Sequence, residues 1–322
     1  MLIINSAQDL VTKHEQTRAG FVAFALEKNR RSEPLIQQAK SFQSLASKAH
    51  TPEELLDIPE IRSALLTAAG LSDKALNHFS EEDKNVAIQQ LIDKFLKPAG
   101  DKFIEEAVYR FLLIKGDSLG GQMRNIVGAL AQKRLVDTMV SNLQVKGTSY
   151  EWFRENKKCS KLNAWLPGIA DGLSIPDQGE SLRALHWENE KGSRILFFNL
   201  NVPLVKKNVD FCLFDCDKES FGKKKTIKNA NAYIMLGELK GGIDPAGADE
   251  HWKTAKTALE RIRNSFKANG QQDILTSFIG AAIEPNMAKE IFDDLQTGKL
   301  SNVANLTVDE QLISFCSWVL EL

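Results

Sequence analysis

Cysteine is scarce in this chain of 322 residues. The four present, Cys159, Cys212, Cys216 and Cys316, stand in neither CxxC nor knuckle spacing, which excludes a structural zinc site and a disulfide framework of the usual patterns. Cys212-Leu-Phe-Asp-Cys216 falls in an apolar run, where buried free thiols are expected. With 20 glycines and 9 prolines, collagen-like and low-complexity readings fail. No window approaches 18 consecutive apolar residues, so no transmembrane helix and no membrane partner are expected. The opening MLIINSAQDLVTKHEQ lacks the basic and long apolar regions of a secretory signal, and a cytoplasmic location is expected. A surplus of charge is missing too: 41 basic and 42 acidic residues leave a net −1. Bulk electrostatics therefore cannot grip nucleic acid, and any DNA reader here must concentrate its cations locally.

What is present is an ordinary folding composition, 43% hydrophobic and 26% charged. From Phe21 to about Val145 the apolar period is helical. Phe21-Val-Ala-Phe-Ala-Leu26 opens one amphipathic stretch, expected to end before Arg31-Ser-Glu-Pro34. Thr51-Pro-Glu-Glu54, Ser72-Asp73 and Ser80-Glu-Glu-Asp83 are helix starts. Lys97-Pro-Ala-Gly100 is a break, and the spacing predicts helices over 101–115 and 122–145, parted by Gly116-Asp-Ser-Leu-Gly-Gly121. Residues 146–192 read as loops around short elements. Strand-length runs then follow at Arg194–Leu200, Val209–Phe214, Tyr233–Lys240 and Leu275–Ile283, with a helix from Glu250 to Lys267 and two more closing the chain. Interleaved strands and helices predict an α/β class: a mixed sheet flanked by helices behind a largely helical N-terminal region, divided at 1–100 and 101–322.

Asp210, Glu238 and Lys240 carry the chemistry. Positions i and i+2 of a strand share a face, so Glu238-Leu-Lys240 presents a carboxylate and an ammonium together. If the neighbouring strands pair, Asp210 and Glu238 come within reach of one divalent cation, and two hard oxygen donors completed by phosphate and water suit Mg²⁺. Lys240 would stand by the scissile phosphate, offsetting developing charge. The triplet alone occurs by chance in many chains. Its place after Tyr-Ile-Met-Leu-Gly, at the end of a buried strand, makes ionisable groups costly unless paired, liganded or functional. The pattern is that of the PD-(D/E)xK nuclease core, with Val209 where proline is usual.

Longer stretches are more specific. Phe21-Val-Ala-Phe-Ala-Leu-Glu-Lys-Asn29, Gly116-Asp-Ser-Leu-Gly-Gly121 with Met123-Arg-Asn125, Val202-Pro-Leu-Val-Lys-Lys-Asn-Val-Asp210 and Gly237-Glu-Leu-Lys-Gly-Gly-Ile-Asp-Pro-Ala-Gly-Ala-Asp-Glu-His-Trp-Lys253 closely resemble the AvaI/BsoBI family of type II restriction endonucleases, from about Arg18 to Trp318. The resemblance implies a homodimer enclosing double-stranded DNA, Mg²⁺-dependent cleavage of the degenerate palindrome CYCGRG with 5′ overhangs, and a DNA methyltransferase in the same system with no direct contact. It assigns metal and phosphate roles to Asp210, Glu238 and Lys240, and places His251 beside the attacking water, where an imidazole of ordinary pKa near ~6.5 can accept a proton. It also assigns base reading to Lys74, Lys207 and Asp244: lysine donates to guanine O6 and N7, and aspartate accepts from cytosine N4. A Y·R pair suits a lysine donor to purine N7, an acceptor common to A and G.

Local charge agrees with such a patch. Between 193 and 228 stand eight basic and four acidic residues, and Lys223-Lys-Lys225 is a candidate phosphate contact carrying no sequence information. The Gly116–Gly121 turn could meet phosphate or merely pack a helix; lacking the Gly-Lys-Ser/Thr pair, it is no ATP site. Two alternatives stay open: a repair or recombination nuclease on the same core, and a DNA-binding protein with a decayed nuclease site.

Overall fold

The computed structural model describes residues 3–155, 164–168, 182–221 and 225–322. Its helices are α1 (Ala7–Leu10), α2 (His14–Ala46), α3 (Arg62–Ala68), α4 (Asp73–Leu76), α5 (Glu81–Leu91), α6 (Phe103–Val145), α7 (Lys218–Phe221), α8 (Ala248–Ala268), α9 (Pro285–Gln296) and α10 (Asp309–Glu321). The strands are β1 (Tyr150–Arg154), β2 (Ala164–Pro167), β3 (Leu182–Asn189), β4 (Gly192–Val202), β5 (Lys207–Asp215), β6 (Tyr233–Lys240), β7 (Leu275–Gly280) and β8 (Asn302–Asn305). Two compact units result, Val22–Ile126 and Met1–Phe21 with Val127–Leu322. Among the described residues no helix is long and apolar enough to cross a membrane.

The helical unit is built around Phe42, Leu55, Leu65, Leu91, Phe103 and Phe111. Ser72 caps α4 by accepting from the Ala75 amide, and Ser80 with Asp83 forms a reciprocal capping box on α5. Two expected breaks are absent. Pro34 lies inside α2, where it removes one main-chain hydrogen bond; Arg30 and Arg31 both bind Glu27, and Gln37 donates to Glu33, so side-chain bonds one turn apart support the helix on both sides. The predicted turn at Gly116–Gly121 is likewise continuous helix, since α6 runs unbroken through it. Glycine costs a helix only about 1 kcal/mol each, and Leu119, Met123 and Ile126 form an apolar cluster with Phe24 and Leu35 that holds this segment helical.

In the other unit an eight-stranded sheet runs in the order β2-β1-β3-β4-β5-β6-β7-β8, antiparallel up to β6 and parallel beyond it. The α/β class with mixed sheet and flanking helices is thus as expected, and among the described residues of 146–192 the short elements are the strands β1, β2 and β3. Helices α8 and α9 lie in the two parallel crossovers. One face buries Trp252, Leu259 and Phe266 of α8 with Cys212, Phe214 and Leu236; the other buries Leu135 and Met139 of α6 and Phe315 of α10 with Phe211, Leu213 and Met235. Helix α8 reads as amphipathic because only this one stripe is buried.

The glycines of α6 yield a test. A methyl group at Gly116, Gly120 or Gly121 would meet nothing within 4 Å. Each Gly→Ala change should raise unfolding free energy by about 0.5–1 kcal/mol through helix propensity. Denaturant titration followed by helical circular dichroism measures this; loss of stability would mean that the segment is not simple helix.

Candidate active site

The site arises where β5 and β6 part. Their ladder pairs Phe211 with Gly237, and the same register sets Asp210 opposite Glu238, beyond the last paired residues. Phe211 packs its ring where a side chain at 237 would stand, so only glycine permits this approach. Past that pair the Leu239 amide donates not to a strand carbonyl but to Asp210 Oδ2, at 2.8 Å. Lys240 Nζ donates to the same oxygen at 3.2 Å and to Glu238 Oε2 at 2.6 Å. The expected trio is therefore a single hydrogen-bonded cluster. Leu239, between the two ionisable residues, packs against the opposite core, as strand alternation requires.

Burial sets the electrostatics. Glu238 is only 5% exposed. Desolvation first, and the charge of Asp210 second, push its carboxyl up to about 7 against the pull of Lys240. Burial alone would lower Lys240, but Asp210 and Glu238 outweigh it and hold the ammonium above the ordinary lysine value. Cys212, on the same strand as Asp210, is buried and free, and its thiol is raised by desolvation and by both carboxylates. Among the described residues, no group of three or more His, Cys, Asp and Glu side chains is gathered as metal ligands, so Asp210 and Glu238 are a pair of oxygen donors and not a closed cage.

His251 lies in the first turn of α8, with Gly242 and Gly247 against its ring. A methyl at Gly242 would come within 2.6 Å of His251 Cε1, so the glycine after the strand is what lets the imidazole lie there. Lys207 opens β5, three residues before Asp210, and is exposed. Asp244 is exposed, and one of its carboxylate oxygens accepts from the Ala246 amide at 3.0 Å. Lys74 is exposed on α4 of the helical unit. Lys225 is exposed beside a short 3₁₀ turn, whereas Lys223 and Lys224 lie outside the described residues. Two contributors escape a reading of side-chain types: the Leu239 main-chain amide and Gly242.

The raised Glu238 pKa has a thermodynamic sign. Between the ordinary 4.5 and about 7 the folded chain keeps a proton that the unfolded chain has lost. Its contribution favours folding at low pH and vanishes as pH rises through about 7. Glu238→Gln stays neutral, so its unfolding free energy should fall less than that of wild type over this window in denaturant titrations; equal slopes would remove burial of Glu238 as the cause.

Comparison with known proteins identifies the family. The family model described as restriction endonuclease BsobI matches residues 2–322. The type II restriction enzyme BsoBI of Geobacillus stearothermophilus is 49% identical over 319 residues, covering 99% of this chain and 97% of that enzyme. The type II restriction enzyme AvaI of Nostoc sp. is 48% identical over 319 residues, covering 99% and 98% respectively. With a match over essentially the whole length and the Asp210–Glu238–Lys240 cluster assembled, the chain belongs to the BsoBI restriction endonuclease family.

Proposed function

We propose that this chain is a type II restriction endonuclease that hydrolyses phosphodiester bonds of double-stranded DNA at CYCGRG, leaving 5′ overhangs, and that it acts as a Mg²⁺-dependent homodimer. The observation that carries the reading is the clustering of Asp210, Glu238 and Lys240 in a member of this family. A palindrome read by two equal half-sites favours a two-fold dimer. A methyltransferase protecting the same hexamer belongs to such a system without touching this chain.

The donor set fits a hard divalent cation. Two carboxylates face one ammonium, and burial first, with the charge of Asp210 second, raises the Glu238 pKa, so a bound cation would favour its ionised form. Asp210 and Glu238 would hold Mg²⁺, which retains waters and needs few protein ligands. Bound there, the ion supplies Lewis acidity that offsets charge on the phosphate. Lys240 stabilises charge developing on the phosphoryl oxygens. His251 accepts the proton of the attacking water. Lys74, Lys207 and Asp244 read base edges, and Lys225, with Lys223 and Lys224, meets phosphates.

Glu238→Ala should reduce cleavage of a CYCGRG duplex below a few per cent of the wild-type rate, while specific binding in Ca²⁺ survives. Substantial residual cleavage would exclude Glu238 as a metal ligand. The division of labour between His251 and Lys207 is equally open to measurement. His251→Ala should slow single-turnover cleavage by roughly 10²–10⁴ with binding little changed. Lys207→Ala should instead lose about 1–3 kcal/mol of discrimination at one base pair and keep its rate at saturation. A Lys207→Ala enzyme slowed at saturation with unaltered sequence preference would place that lysine in the chemistry, and His251→Ala that binds tenfold more weakly at full rate would remove the base assignment.

A further inference from the structure

The row of residues that crosses the sheet at the site begins one strand further out. Strand β4 pairs Phe198 with Phe211 and Leu200 with Val209, so Asn199 lies opposite Asp210. Alternation along β4 is regular up to that point: Ile195 and Phe197 pack on the face of α8, Leu196 and Phe198 on the face of α6 and α10. The next side chain should then stand beside Asp210. It does not. Asn199 has φ 53°, one of two non-glycine residues with positive φ among those described. Its side-chain amide donates at 2.6 Å to Gln132 Oε1, on the helix covering the opposite face. Leu200, which alternation assigns to that opposite face, packs instead against the α8 core.

The turned residue is held at two points, its side-chain amide and its carbonyl. Gln132, itself buried, donates to the Leu182 carbonyl at 3.1 Å while accepting from Asn199. Leu182 belongs to β3, whose register beyond the Ala184–Phe197 pair leads to Asn199, so one glutamine joins two strands where their ladder lapses. The guanidinium of Arg183 donates to the Asn199 carbonyl at 3.0 Å. Asparagine is among the few residues that adopt the left-handed region readily. Backbone conformations of this kind, over-determined by their surroundings, cluster at working sites.

We propose that Asn199 is a positioning residue: by turning its side chain out of the Asp210 face, it keeps free the place beside Asp210 that a scissile DNA phosphate and its cation must reach. The proposal rests on the nuclease reading above. In a regular strand the Cβ at 199 would stand only about 4.5–5.5 Å from that of Asp210, with its side chain filling the same space. The strand beyond β6 leaves no equal opening, since Glu238 pairs there with the buried Phe278.

The test compares Asn199→Gly, Asn199→Ala and Asn199→Val in single-turnover cleavage of a CYCGRG duplex with Mg²⁺, at saturating enzyme. Glycine adopts positive φ freely and is the conservative variant; valine resists it and returns the strand to extended geometry, with its branched side chain beside Asp210. The expected order is glycine within about threefold of wild type, alanine at least tenfold slower and valine at least a hundredfold slower. Mn²⁺ affinity, read by electron paramagnetic resonance, should fall for valine and not for glycine, a shift that mere loosening of the fold would not order in this way. Alanine and valine cleaving at the wild-type rate would overturn the proposal. So would a glycine variant as slow as valine, because the amide contact to Gln132, and not the cleared face, would then matter. Should valine fail to fold, equal rates for glycine and alanine are the contradicting result. If wild type itself cleaves no such duplex, it is the nuclease reading that fails.

Discussion

One ammonium shared between two carboxylates in a buried corner is the interaction on which the site depends. Lys240 binds both Asp210 and Glu238, and without it two acids would face each other with Glu238 almost wholly removed from water. Removing one partner from such a cluster leaves an uncompensated buried charge, far costlier than losing a surface pair. The surrounding backbone is shaped to this demand. Strands β5 and β6 separate after Phe211 and Gly237, and the Leu239 amide released by that separation is satisfied by Asp210 itself. Gly237 admits the ring that closes the ladder, and Gly242 admits the imidazole of His251. The groups of the corner are thus hydrogen-bonded to one another, while burial makes the Glu238 carboxyl costly to ionise.

Much of this was legible in the sequence, for identifiable reasons. Strands Tyr233–Lys240 and Val209–Phe214 read as apolar runs because both faces of the sheet are covered by helices. Glu238 and Lys240 share a face by strand period alone, and Ser72 and Ser80 announce their helices by capping chemistry. Local signals misled where tertiary or side-chain support outweighed them. Pro34 and the Gly116–Gly121 cluster are breakers by type, yet ion pairs one turn apart and the Leu119–Met123–Ile126 contacts keep those helices intact. Strand β1 carries Tyr150, Trp152 and Phe153 but is only five residues long, and β8 is four, too short for a period to be distinguished.

The least legible element is Asn199. In one dimension it is a single polar residue inside Arg194–Leu200, and nothing in the run marks a change of backbone hand. Its meaning comes from residues distant in sequence, Gln132, Leu182 and Arg183, that meet only after the sheet and α6 have packed. Main-chain contributions such as the Leu239 amide are invisible for the same reason. The nearly neutral total charge hides a comparable contrast, because the cations between Arg194 and Lys228 are concentrated while the rest of the chain is acidic on balance.

The proposed activity is cleavage of DNA by this cluster at one hexamer. A plasmid of known sequence, incubated with the purified chain and Mg²⁺ and sequenced at every new end, tests it most directly. The expected result is discrete fragments whose 5′-overhanging ends all fall within CYCGRG, and none when the divalent ion is chelated. Nicks that follow DNA structure and not sequence, or binding to the hexamer without any cut, would contradict it.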